Sequence, residues 1–280
     1  MPAPAFLRKT AGMSAMILWK GLLLAALFYL ALCLYVFLRQ REMLYHPASA
    51  SEEEFSAVAA SQNLERWRDA SGRPLGWMTR DGDPAAPIML LHGNAGHALN
   101  RGDLISRLRC AGAAGRIHIV DYPGYGSAPG TPTQAGLTAA AAAGLDALTS
   151  PAVVIGESLG TGVAAQVAAL REEKVRSLIL ITPFDSMTNA AWHHYPYLPV
   201  PLLLTDRYDS VRALARFSKP VAIVIGGQDQ TTPPSGARRL LESLKGPKRL
   251  WSVSEAGHND AAFALSDQEW QALWNFATPR

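Results

Sequence analysis

Only two cysteines, Cys33 and Cys110, occur in the 280 residues. One lies in an apolar run and the other stands alone, so a disulfide framework is excluded. Charge is scarce as well, at 18% of the chain, and no acidic residue precedes Glu42. The first 41 residues therefore carry +5, from Arg8, Lys9, Lys20, Arg39 and Arg41, while the rest holds 21 bases against 23 acids. A nearly neutral body has no electrostatic footprint for phosphate backbones, which removes nucleic acid from the expected partners. The histidines and carboxylates lack the close spacing of a metal site, so neither a metal nor another cofactor is expected. Repeats are missing, and the one biased block, Ala139 to Ala143, is ordinary helix material. What is abundant is apolar: 49% hydrophobic residues, enough for one core of ordinary size.

Part of that apolar content is concentrated near the start. Gly21 to Leu38 reads GLLLAALFYLALCLYVFL, 18 residues without a charge. As a helix this run spans roughly 27 Å at about 1.5 Å per residue, close to the ~30 Å of a hydrocarbon core. Lys20 and Trp19 suit an interface, the lysine by extending its amine along its own stem. A cleaved signal peptide has a shorter apolar region, and Ala48-Ser49-Ala50, which mimics a cleavage site, lies beyond Arg39, Arg41, Glu42 and Pro47. A transmembrane helix over 16–38 is expected, with membrane lipid as its partner. Arg8, Lys9 and Lys20 outnumber Arg39 and Arg41, which orients the amino terminus to the cytoplasm and the body to the other side.

After residue 46, short apolar runs alternate with helix-length segments, the pattern of a largely parallel sheet covered on both faces. Expected strands are Ile88 to Leu91, Ile117 to Val120, Ala152 to Ile155, Ser177 to Ile181, Val221 to Ile225 and Leu250 to Val253. Helices are expected over Leu99 to Ala111, Gln134 to Leu148, Leu159 to Glu173 and Ser235 to Leu244. Ser266 to Glu269 forms a capping box for a last helix ending near Phe276. Leu64 to Asp69 and Pro74 to Met78, flanking Ser71-Gly72-Arg73, read as antiparallel edge strands.

In such sheets reactive groups gather at the carboxyl ends of the strands. Val153-Val154-Ile155 runs into Gly156-Glu157-Ser158-Leu159-Gly160, the only G-x-S-x-G in the chain, and then into helix-length sequence. A strand, a sharp turn and a helix are the context this motif needs, because the turn pushes the serine hydroxyl outward and leaves no room for side chains two residues either way. A phosphate-cradling turn would place a lysine before Ser or Thr, and none is near. A serine nucleophile needs a base and an acid that orients the base. Asp229 follows the strand Val221 to Ile225, and His258 follows Leu250 to Val253 within AGHND, so Ser158, Asp229 and His258 form the candidate triad. Asp185, after another strand end, is the rival acid; it precedes a long insertion, whereas Asp229 heads a short loop into a helix started by Pro233-Pro234. His46, His118, His193 and His194 lack the strand-end context, and His92 reads as a loop-packing group. The amides of Leu159 and Asn94 are the candidate oxyanion donors, the second from HGNAG at 92–96.

These segments, with DYPGYGSAPG at 121–130 and GGQDQTTPP at 226–234, resemble the α/β-hydrolase fold, particularly its Bem46-like, membrane-anchored branch; the leading helix and Gln40 to Pro47 are similar to that branch too. The resemblance implies an α/β fold with a mostly parallel eight-stranded sheet flanked by helices, preceded by one transmembrane helix. It also implies Ser158 as nucleophile, Asp229 as acid, His258 as base, and hydrolysis of carboxylic esters or thioesters, some of them fatty acyl groups on lipids or proteins. The expected organisation is a tail at 1–15, the transmembrane helix at 16–38, a juxtamembrane linker at 39–60 and a body at 61–280. A lid is expected at about 184–217, where Tyr195 to Leu204 holds three prolines and much apolar surface, suited to an acyl-chain substrate. Two other readings remain open: a peptidase or amidase with the same triad, and a catalytically silent interaction module. No feature specifies an oligomeric state.

Overall fold

The structure is a computed structural model that describes residues 5–279, with side chains described from residue 16. The first four residues of the expected tail lie outside the described residues. The first helix, α1, runs Ala5–Leu44, and its stretch Met16–Leu44 is long and apolar enough to cross a membrane. Only 6% of its most apolar window is buried, which distinguishes it from a core helix. The helix does not stop at residue 38. Gln40, Arg41, Glu42 and Met43 are good helix formers, and it ends three residues before Pro47. The expected linker is therefore mostly ordered, since α2 occupies Glu52–Ser61. A full capping box between Ser51 and Glu54 starts α2, and Phe55 and Ala59 bury its inner face.

The body follows as β1 (Leu64–Arg68), β2 (Pro74–Thr79), β3 (Asp83–Leu91), α3 (Gly102–Cys110), β4 (Gly115–Val120), α4 (Gln134–Ala147), β5 (Ala152–Glu157), α5 (Leu159–Leu170) and β6 (Val175–Ile181). Three short helices, α6 (Met187–His194), α7 (Val200–Leu203) and α8 (Ser210–Ala213), occupy the insertion before β7 (Val221–Gly226). Then come α9 (Pro234–Ser243), β8 (Lys248–Val253) and α10 (Asp267–Ala277). The eight strands form one sheet in the order β8-β7-β6-β5-β3-β4-β2-β1. β3 to β8 pair in parallel, and β1 and β2 join antiparallel at the β4 edge. From β3 the chain adds β4 on one side and then β5 on the other, and this turn in strand order is a topological switch point that puts the ends of β3 and β5 beside an open crevice.

Strand composition explains the layering. β5 and β7 are apolar on both faces because helices cover both. On one face Val154, Leu178 and Ile223 pack with α4, α5 and α9; on the other Ile155, Ile179 and Val224 pack with α3 and α10. The small residues of α5, Gly160, Gly162, Ala164, Ala165 and Ala168, bring that helix hard against the sheet. A side chain at Gly162 would meet Phe184 and Tyr208 at about 2.9 Å.

Candidate active site

Ser158 sits between β5 and α5 with φ 52 and ψ −118, a strained conformation for a residue with a side chain. Two glycines make that turn possible. A Cβ on Gly156 would lie 2.5 Å from the Gly160 carbonyl oxygen, and one on Gly160 would lie 2.0 Å from that of Leu91. Neither contact can be relieved by a rotamer change, because both partners are backbone.

The structure brings Ser158, His258 and Asp229 together. The Ser158 hydroxyl lies 2.9 Å from His258 Nε2, and His258 Nδ1 lies 2.7 Å from Asp229 Oδ2. Asp229 Oδ1 accepts from the backbone amides of Thr231 and Thr232, each at 2.8 Å. Burial pushes the Asp229 carboxyl up, but the bond from His258 and those from Thr232 outweigh it and hold it below the ordinary carboxylate range. A carboxylate kept ionised there assigns the proton to His258 Nδ1, leaving Nε2 free to accept from the serine.

Asp185 is not part of this chain of contacts. Its carboxylate takes the Arg239 guanidinium and the Asn189 amide, both at 2.7 Å, on the far side of α6. His92 is buried against Tyr122 and Tyr125, and its Nδ1 lies 2.9 Å from the Gly93 carbonyl. Burial, with the Arg101 charge adding to it, lowers its pKa to about 3. His194 is the one competing histidine that borders the site: Nε2 meets the Thr231 carbonyl at 2.8 Å, and its ring lines the cavity described below.

Asn94 and Leu159 both border the cavity at Ser158. The Leu159 amide opens α5, where an N–H has no partner within the helix. The Asn94 loop is held by its carbonyl, which accepts from the Tyr125 hydroxyl at 2.7 Å and from the His46 amide at 2.9 Å. Its side-chain amide donates to the Leu44 carbonyl at 3.1 Å. Gly93 brings this loop to the serine, since a Cβ there would lie 3.5 Å from Ser158 Cβ.

Three contributions escaped the reading of the sequence. The Thr232 hydroxyl lies 2.9 Å from Asp229 Oδ2 and 3.1 Å from both His258 Nδ1 and the Thr182 carbonyl, bracing the acid and the histidine. Arg101 sets its Nη1 3.0 Å from both carboxylate oxygens of Glu157, the residue before the serine. Neither had a sequence signal beyond its residue type. The third is α1 itself. An apolar cavity of about 230 Å³ opens onto Ser158, and Val36, Gln40, Met43 and Leu44 form one wall of it. The opposite wall comes from the β6–β7 insertion, including Phe184, Met187, Tyr195 and Leu198.

Comparison with known proteins agrees with the architecture. Residues 86–212 match the family model described as the alpha/beta hydrolase fold. The chain belongs to the α/β-hydrolase family. It is 32% identical over 237 residues to the uncharacterized protein Rv2307c of Mycobacterium tuberculosis, covering 81% of this chain and 83% of that one. The protein bem46 of Schizosaccharomyces pombe is 28% identical over 201 residues, covering 68% of this chain and 66% of its own. Among solved structures, the esterase Pf2001 of Pyrococcus furiosus superposes with a TM-score of 0.60 at 15% identity, covering 84% of this chain and 96% of that one.

Proposed function

We propose that this protein is a membrane-anchored serine hydrolase that cleaves carboxylic ester or thioester bonds through an acyl-enzyme on Ser158. The observation that carries this reading is the continuous path from the Ser158 hydroxyl through His258 to Asp229, at 2.9 and 2.7 Å, beside an apolar cavity. In the first step the Ser158 oxygen attacks the substrate carbonyl carbon while His258 Nε2 accepts its proton. Negative charge develops on the carbonyl oxygen, for which the amides of Asn94 and Leu159 are the donors. Collapse breaks the bond to the alcohol or thiol, which leaves with the proton from His258. Water then repeats the sequence, giving its proton to His258 and its oxygen to the acyl carbon, so that Ser158 is restored. Asp229 stays ionised throughout, orienting the imidazole and stabilising it when it is charged.

Anchorage follows from α1, with the amino terminus in the cytoplasm and the body on the other side. The apolar cavity favours an acyl-bearing substrate over a peptide, because among the described residues its walls carry no Asp, Glu, Lys or Arg that would take a peptide terminus. The test is fluorophosphonate labelling of membranes containing the full chain. Wild type is expected to label, and Ser158→Ala is expected to lose the label together with at least ~10⁴-fold of ester turnover. Undiminished labelling of that variant would overturn the assignment.

A further inference from the structure

One wall of the same cavity is the helix that carries the membrane-spanning sequence. Val36 belongs to the uncharged run Gly21 to Leu38, and Met43 lies two turns further along. The insertion follows the helix closely. Asp206 meets Arg41 and Tyr45; the Thr205 amide donates to Gln40 Oε1 at 2.8 Å, and Gln40 Nε2 donates to the Leu203 carbonyl at 3.1 Å. Further down, the Tyr29 hydroxyl donates to the Tyr197 carbonyl at 2.8 Å. From Arg41 to Tyr29 this contact line descends roughly 18 Å along α1, at about 1.5 Å per residue. Tyr29 is near the middle of the uncharged run, so the insertion reaches the level of the hydrocarbon core.

The outward faces of both partners are apolar at that level. Tyr197 and Leu202 of the insertion are 87% and 82% exposed, and Leu34 and Leu38 of α1 are 58% and 68% exposed. A surface of this kind is stable against lipid tails and costly against water. The amino-terminal helix is also wired to the reactive end, since Asn94 bonds to Leu44, the last residue of α1, and to His46 just past it.

We infer that α1 is a wall of the acyl-binding site as well as an anchor, and that the site takes a long, unbranched acyl chain directly from the leaflet in which the insertion is embedded. This rests on the hydrolase reading above. Val36 and Met43 are the side chains that set how long a chain is accepted. The chain lies between α1 and the insertion while its carbonyl reaches Ser158.

The experiment uses the full chain in phosphatidylcholine vesicles and a dodecyl fluorophosphonate with a terminal diazirine. Ser158 displaces fluoride from phosphorus and passes its proton to His258; light then expels dinitrogen, and the carbene inserts into the nearest bond. Crosslinks from the Ser158 adduct to residues 36–44 are expected. In parallel, Val36→Trp and Met43→Trp are expected to lower the ratio of kcat/KM on nitrophenyl dodecanoate to that on nitrophenyl acetate at least tenfold. Using a ratio removes any general loss of folded enzyme. A Ser158 adduct with no crosslink in 36–44, or a ratio unchanged within twofold in both variants, would overturn the inference and leave the hydrolase reading standing. Absence of any Ser158 adduct would overturn both.

Discussion

The two sides of the cavity are built on different principles. On the side of the sheet, positions are set by backbone against backbone: Gly156 on Gly160, Gly160 on Leu91, and the Asn94 loop hydrogen-bonded at both its carbonyl and its side chain. On the side of α1 and the insertion, apolar side chains meet, pinned by a few polar contacts through Gln40, Arg41 and Tyr45. Backbone contacts tolerate little displacement, which suits a nucleophile that must be held to a fraction of an ångström. Apolar walls joined by a few bonds can exchange side chains without altering the chemistry. Under the proposed function, this difference gives the sheet the reaction type and gives α1 and the insertion the choice of acyl chain.

Substitutions can break this division, and the largest effect is expected at the acid. Asp229→Asn should lower kcat about 10⁴-fold with little change in KM, because the imidazole loses the tautomer it needs. Asp185→Asn is the matched control on the other side of α6, where the loss of the Arg239 and Asn189 contacts should appear in thermal stability and leave kcat within a few-fold. Equal kcat losses in the two variants would erase the distinction between catalytic and structural carboxylates.

Gly160→Ala tests the backbone side directly. A methyl group 2.0 Å from the Leu91 carbonyl oxygen has to displace β3 or α5, and a stability loss of roughly 3 kcal/mol is expected in a denaturant titration. A neutral result would show that the turn is looser than its contacts imply.

Acid should affect the sheet side through two buried histidines. Burial lowers the pKa of His92 to about 3 and that of His118 to about 4. Both are depressed in the folded chain, so their neutral forms add no penalty above the unfolded value near 6.5. Between that value and the folded pKa, the unfolded chain binds protons that the folded chain refuses. Each should remove roughly 2 kcal/mol by pH 5, at about 1.4 kcal/mol per pH unit. Melting temperature should fall steadily from pH 7 to 4, and His118→Gln should flatten that slope; an identical slope in the variant would assign the acid sensitivity elsewhere.

The smallest effect is expected at the rim of the other half. Arg41 is half-exposed where it meets Asp206 at 3.3 Å, so Arg41→Ala should cost less than ~1 kcal/mol in thermal unfolding of the full chain in detergent. A much larger loss would mean that the helix and the insertion are held together by charge and not by apolar packing.

Legibility in the sequence followed the same line. Every expected strand of the sheet is present, most of them extended by one or two residues, because an apolar run does not include the glycines and charged residues, such as Gly115, Arg116, Glu157, Gly226, Lys248 and Arg249, that continue the ladder. β3 begins five residues early, at Asp83, through a stretch with two prolines that no hydrophobic pattern would include. α2 is not among the expected helices, because its segment reads whole as a linker; the signal that marks it is the Ser51 to Glu54 capping box. Ser158, Asp229 and His258 could be chosen in advance because each follows a strand end and the parallel order of strands brings those ends together. Thr232 and Arg101 could not, since a threonine in a loop and an arginine before a helix are common and their partners are distant in sequence.

By itself the sequence determined what is local or periodic: the alternation of strand and helix, the uncharged helix near the start, and a glycine-flanked serine whose turn has no room for larger neighbours. Tertiary structure alone decided that Thr232 braces the acid and the imidazole, and that a helix over 100 residues before the serine forms a wall beside it. The reason is that periodicity and steric exclusion act between near neighbours along the chain. A cavity is made by surfaces from distant segments, and their meeting depends on how the whole sheet, α1 and the insertion pack.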